Sequence, residues 1–130
     1  MSIQLKSKTI LVVDDEPDIC EALGMALQLE GYVVKAAPDR DEALRVIANE
    51  NPAMILLDYR MPGLDAKEFV AQLQARKITA PVVLMTAGKD PSATARQLGL
   101  QHFLAKPFEL DELLRMVKTC SSDLDGREGE

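Results

Sequence analysis

At 130 residues, 47% of them hydrophobic and 28% charged, the chain has the size and composition of one globular domain. A net charge of −6 with no Lys/Arg cluster argues against direct nucleic-acid binding or a grip on anionic lipid. The opening MSIQLKSKTI lacks the apolar stretch of a signal peptide, and no apolar run approaches the roughly 20 residues that cross a bilayer, so the expected localisation is cytoplasmic.

Five short apolar runs alternate with five amphipathic stretches. Thr9–Val13 comes first and ends at Asp14. Ile19, Ala22, Leu23, Ala26 and Leu27 then fall on one helical face, with Gly31 as a stop signal. The run 32–37 is followed by a second helical face of Ala43, Leu44, Ile47 and Ala48. The run 54–57 is followed by a third, of Ala66, Phe69, Val70 and Leu73. After the run 82–85 comes a short helical stretch, 91–98, whose one strong apolar residue is Leu98. A short run, 103–105, precedes a last helix carrying Leu110, Leu113, Leu114 and Val117. Glu109, Asp111 and Glu112 sit at its start, where acids favour the helix dipole. Runs apolar at successive positions suit strands buried on both faces. The alternating order predicts an α/β, doubly wound parallel sheet with helices on both faces and right-handed crossovers. The domain is expected over residues 8–119. Residues 120–130, polar and without periodicity, read as a disordered tail or the start of a linker. Cys20 and Cys120 lie far apart without metal-ligand spacing and are expected as free thiols.

Four of the runs end, on their C-terminal side, in a residue with chemical capability. The first ends in Asp14-Asp15, the third in Asp58, the fourth in Thr86 and the fifth in Lys106. Open α/β sheets bind ligands at the carboxyl ends of their strands, near the point where strand order reverses. If strand one lies beside strand three, three carboxylates meet there; that is the flavodoxin-like order 2-1-3-4-5, which periodicity alone leaves open. Clustered carboxylates repel, and a hard divalent cation such as Mg²⁺ resolves the conflict. A nearby lysine and a threonine hydroxyl suit a phosphoryl group, and one carboxylate can itself be the nucleophile. Each residue alone has a plainer reading: a turn or cap for the aspartates, a β-former for Thr86, a solvated charge for Lys106. It is their joint occurrence at four strand ends that points to phosphoryl chemistry.

The segments ILVVDDEPDI, MILLDYRMPGLD, VVLMTA and FLAKPF resemble, in order and spacing, the successive signatures of response-regulator receiver domains. The resemblance implies a (βα)5 flavodoxin-like fold with sheet order 2-1-3-4-5. It makes Asp58 the phosphoacceptor, with a phosphoryl group delivered from a phosphohistidine on a sensor histidine kinase or a histidine phosphotransfer domain. Mg²⁺ would be held by Asp15, Asp58 and the backbone carbonyl of Arg60, with Asp14 acting through water. Lys106 would bridge to the phosphoryl group, and the Lys106-Pro107 bond would be cis. Thr86 and Phe103 would form the switch, the threonine moving toward the phosphoryl oxygen and the aromatic swinging inward. Arg60 and Gly88, two residues after Asp58 and Thr86, would tune the phosphoryl lifetime. Such a domain is a phosphorelay switch, not a turnover enzyme, and a homodimer stays open as its assembly.

The chain departs from the family's usual pattern at Ala66, where a glycine is common, and in a slightly shortened, apolar-poor stretch between Thr86 and Lys106. The second departure puts the customary output surface in doubt. His102 is expected as a surface residue, not a phosphodonor. Two other functions compete. A haloacid-dehalogenase-like phosphatase would carry D-x-D after strand one, but the pair here is Asp14-Asp15. A flavin or nucleotide binder would need more of a P-loop than Gly88-Lys89 supplies.

Overall fold

The computed structural model describes the backbone of residues 8–128 and the side chains through Cys120. Within these residues five parallel strands alternate with five helices: β1 Thr9–Val13, α1 Pro17–Leu29, β2 Val33–Ala37, α2 Arg40–Glu50, β3 Met54–Asp58, α3 Ala66–Ala75, β4 Val82–Thr86, α4 Pro91–Gln97, β5 His102–Ala105 and α5 Leu110–Glu128. The sheet order is β2-β1-β3-β4-β5, as the resemblance implied. Strand order reverses between β1 and β3, so the crevice of the fold opens at their carboxyl ends.

Strand alternation divides β1 between two cores. Ile10 and Val12 pack with Leu23 and Leu27 of α1 and Leu113 and Val117 of α5. Leu11 and Val13 face the other way, toward Ala43, Val46 and Ile47 of α2 and Phe69, Val70 and Leu73 of α3. Both faces of β1 and β3 are thereby sealed, which leaves their polar ends as the place where charge collects.

The helices start where their sequences supply caps. Asp39, Asp65 and Asp90 precede α2, α3 and α4, and each accepts the backbone N–H three residues on, at 2.9–3.1 Å. Pro17 and Pro91 sit at the first positions of α1 and α4, where no N–H is needed. Past α1, Gly31 takes φ +94°, the left-handed turn that its missing Cβ permits.

Four expectations are corrected. The run 32–37 was read as doubly buried, but β2 is an edge strand with three of its five residues exposed, because among the described residues nothing pairs beyond it. In α2 Val46 is buried beside Ala43 and Ile47, and Ala48 faces solvent. Ala22 and Leu110 are also exposed, since each lies past the arc of its helix that touches the sheet. The segment expected to be a disordered tail or linker instead continues α5 to Glu128; beyond Cys120 its one apolar residue, Leu124, sets up no periodicity to reveal a helix. Residues 129–130 of that tail lie outside the described residues. Ala66 fits its place: it opens α3, buried among Met61, Leu64 and Phe69.

Candidate phosphoryl site at the carboxyl edge of the sheet

The parallel register brings the strand ends together. Asp14 follows β1, and its N–H donates to the Ala37 carbonyl at 3.1 Å, extending the ladder by one residue. Asp58 ends β3 opposite Met85, and Thr86 ends β4 opposite Ala105. Lys106 continues past β5 by donating its N–H to the Thr86 carbonyl at 2.8 Å. The Lys106-Pro107 peptide is cis.

Carboxylate oxygens of Asp14, Asp15 and Asp58 all lie within 4.8 Å of one another. Asp14 and Asp58 are buried, whereas Asp15 is exposed at the mouth. Lys106 Nζ donates to Asp58 Oδ1 at 3.0 Å and stands 3.6 Å from Asp14 Oδ2. Asp14 Oδ1 accepts the Glu16 N–H at 3.0 Å, but its Oδ2 is buried with no hydrogen-bond partner. Burial drives the Asp14 pKa up; the Glu16 N–H opposes, the Asp58 charge adds, and Lys106 subtracts. Burial alone would depress Lys106, but its hydrogen bond to Asp58 and the charges of Asp58, Asp14 and Glu16 prevail and raise it.

A buried carboxylate oxygen without a donor, in a cluster of three acids served by one lysine, is the donor set a hard cation satisfies. The residues therefore fit a divalent ion of the Mg²⁺ type.

The remaining residues expected at the site frame it. Thr86 is 3% exposed, and its Oγ1 accepts the Gly88 N–H at 3.1 Å. Phe103 pairs with Leu84, two residues before the Thr86–Ala105 pair, so alternation puts Phe103 and Thr86 on the same sheet face. Phe103 is half-buried. Arg60 and Gly88 are exposed in the loops after β3 and β4. His102 is half-buried and opens β5, at the end of the sheet away from the acids. Neither Cys20 nor Cys120 is joined in a disulfide. Cys20 Sγ donates to the Asp14 carbonyl at 3.4 Å, and burial with the Asp14 and Asp15 charges raises its thiol pKa.

Two features were not read from the sequence. Glu16 contributes its backbone N–H to Asp14, a role that residue type cannot announce. An apolar groove of about 410 Å³ runs beside Lys106, lined by Ile19, Ala22, Leu23, Pro107 and Phe108. Ile19, Ala22 and Leu23 were legible as one apolar face of α1, but not that part of this face is left open beside Lys106.

Parallel order 2-1-3-4-5 with three acids, a lysine and a threonine at its carboxyl edge defines a class, and comparison with known sequences agrees. Residues 10–118 match the response regulator receiver domain family, and the chain belongs to it. Among curated relatives, response regulator MprA of Mycobacterium sp. (strain KMS) is 40% identical over 111 residues, covering 84% of this chain and 48% of the relative. The chain thus spans about half the length of the curated relatives it matches. Among solved structures, TrrA of Thermotoga maritima, crystallised in complex with Mg²⁺ and BeF, is 35% identical, with TM-score 0.76 over 86% of this chain and 97% of that one. Chemotaxis protein CheY4 of Vibrio cholerae is 27% identical, with TM-score 0.80 over 88% and 99%. No helix among the described residues is long and apolar enough to cross a membrane.

Proposed function

We propose that this receiver domain accepts a phosphoryl group on Asp58 from a phosphohistidine of a sensor histidine kinase or histidine phosphotransfer domain. The observation that carries the reading is the Lys106–Asp58 contact at 3.0 Å inside the three-acid cluster. An Asp58 carboxylate oxygen attacks phosphorus, the P–N bond to histidine breaks, and the imidazole leaves with the bonding pair and takes up a proton. Lys106 already stands beside the carboxylate that receives the phosphoryl group, so little reorganisation is needed for it to meet the charge that builds on the phosphoryl oxygens. Asp15, Asp58 and the Arg60 carbonyl would hold Mg²⁺ directly, and Asp14 through water. When bound, the ion supplies charge neutralisation and orientation for the phosphoryl oxygens.

The apolar groove beside Lys106 offers a seat for the helix that presents the phosphohistidine, because it is lined in part by the lysine that contacts Asp58. Once Asp58 is modified, Thr86 donates its hydroxyl to a phosphoryl oxygen, and Phe103 on the same sheet face follows inward. Exposed Arg60 and Gly88 govern how readily water reaches the acyl phosphate. The domain works in the cytoplasm as a switch and turns over no external substrate. Residues 8–119 form the switch, coupled to an output partner or domain. Acetyl phosphate with Mg²⁺ tests the acceptor: intact-mass analysis should show one added phosphoryl group on the wild type and none on Asp58→Asn. Equal labelling of both would exclude Asp58.

A further inference from the structure

Position 88 carries a glycine that its backbone does not require. Gly31, Gly63 and Gly99 adopt positive φ, where a side chain is strained; Gly88 does not. A Cβ built at Gly88 would instead stand 3.3 Å from Thr86 Oγ1, closer than ordinary contact. The same residue's N–H donates to that oxygen at 3.1 Å, and this is the hydrogen bond the Thr86 side chain makes among the described residues. Neither Asp58 nor Lys106 engages the hydroxyl. A β-branched side chain has few rotamers, so the partner of Oγ1 decides where the hydroxyl points.

We propose that the Gly88 N–H is a latch that holds the Thr86 hydroxyl in its resting orientation, and that the bare Cα at 88 is what lets the latch close. Gly88 is thus a positioning residue acting through Thr86. The inference rests on the reading that Asp58 takes the phosphoryl group and Thr86 follows it. Turning the hydroxyl toward a phosphoryl oxygen gives up the Gly88 bond, and that loss biases the switch against the turned state. One net hydrogen bond is worth about two- to tenfold in such an equilibrium. A methyl group at 88 must push either Thr86 or the exposed loop by a few tenths of an ångström. Whichever yields, the bond lengthens and the latch weakens.

Beryllofluoride with Mg²⁺ tests this, the fluoride adduct standing in for the phosphoryl group on Asp58. Gly88→Ala should bind it about two- to tenfold more tightly than the wild type. The same change in a Thr86→Val background, which keeps the shape and lacks the hydroxyl, should leave affinity unaltered. In the wild type, amide exchange at Gly88 should quicken when beryllofluoride is added. Equal or weaker binding by Gly88→Ala, an undiminished gain in the Thr86→Val background, or unchanged Gly88 exchange would each overturn the latch while leaving Asp58 as acceptor. Wild-type protein that fails to bind beryllofluoride, or binding that survives Asp58→Asn, removes the underlying reading and the latch with it.

Discussion

Replacing Asp14 by Asn should make the metal-free protein more stable. Asp14 is 1% exposed, and its Oδ2 has no donor. An amide keeps the acceptor that receives the Glu16 N–H while removing a buried charge and its repulsion with Asp58. A buried polar atom left unsatisfied costs about 1–3 kcal/mol, more when charged. Against that stands the loss of the 3.6 Å approach to Lys106, which keeps its shorter contact with Asp58. At 3.6 Å that approach is longer than a hydrogen bond and Lys106 stays paired with Asp58, so its loss costs about 1 kcal/mol. The net gain is about 1–2 kcal/mol, which for a domain of this size raises Tm by roughly 3–10 °C. The gain also depends on pH. Because burial raises the Asp14 pKa, the wild type pays its penalty above that pKa and is relieved as pH falls through it. The advantage of Asp14→Asn should therefore be largest near neutrality and shrink in acid. Thermal melts in EDTA across that range, with the two proteins side by side, measure it. An Asn variant that melts at or below the wild type at neutral pH would refute the reasoning.

Mg²⁺ titration should show larger losses of affinity for Asp15→Asn and Asp58→Asn than for Asp14→Asn, since the first two touch the ion directly; an unchanged Asp15→Asn would count against the site. Lys106→Met strands Asp58 and Asp14 without their cation and should cost about 1–3 kcal/mol in urea unfolding of the metal-free protein. With the Lys106 pKa raised, the stability this pair contributes is present at neutral pH and lost as alkali passes the raised value. Phosphoryl-driven rearrangement of Thr86 and Phe103 should be partial. A charge-assisted hydrogen bond supplies about 1.5–3 kcal/mol, short of the roughly 5.5 kcal/mol that inverts a strongly biased equilibrium. NMR with beryllofluoride should find Phe103 shifting in the wild type and not in Thr86→Ala; identical shifts would sink the coupling.

Much of this architecture was legible because burial and chemistry are segregated along the chain. From Ile10 in β1 and from Met54 in β3 every position is apolar up to the acid that follows, so strand, strand end and site read together from Asp14 and Asp58. β2 misled because Val33 and Val34 look like core residues, and only the sheet order makes theirs an edge. Val46 displaced Ala48 from the core because the angle at which α2 meets the sheet, not its period, chooses among neighbouring apolar residues. The continuation of α5 past Cys120 was hidden by its polarity. At the site, the residue types of Asp14, Asp15, Asp58, Thr86 and Lys106 carried the signal. The contributions of the Glu16 and Gly88 backbone N–H groups did not, since every residue but proline has one and only the turn aims it.

The acceptor carboxylate can be identified at the level of a single residue. An acyl phosphate is reduced by borohydride to an alcohol, so a phosphorylated aspartate becomes homoserine and keeps that mark through proteolysis. After treatment with acetyl phosphate and Mg²⁺, then borohydride, the peptide that contains Asp58 should carry homoserine at position 58, with Asp14 and Asp15 unchanged in theirs. Homoserine at Asp14 or Asp15, with position 58 still aspartate, would contradict the assignment of Asp58 as the phosphoacceptor.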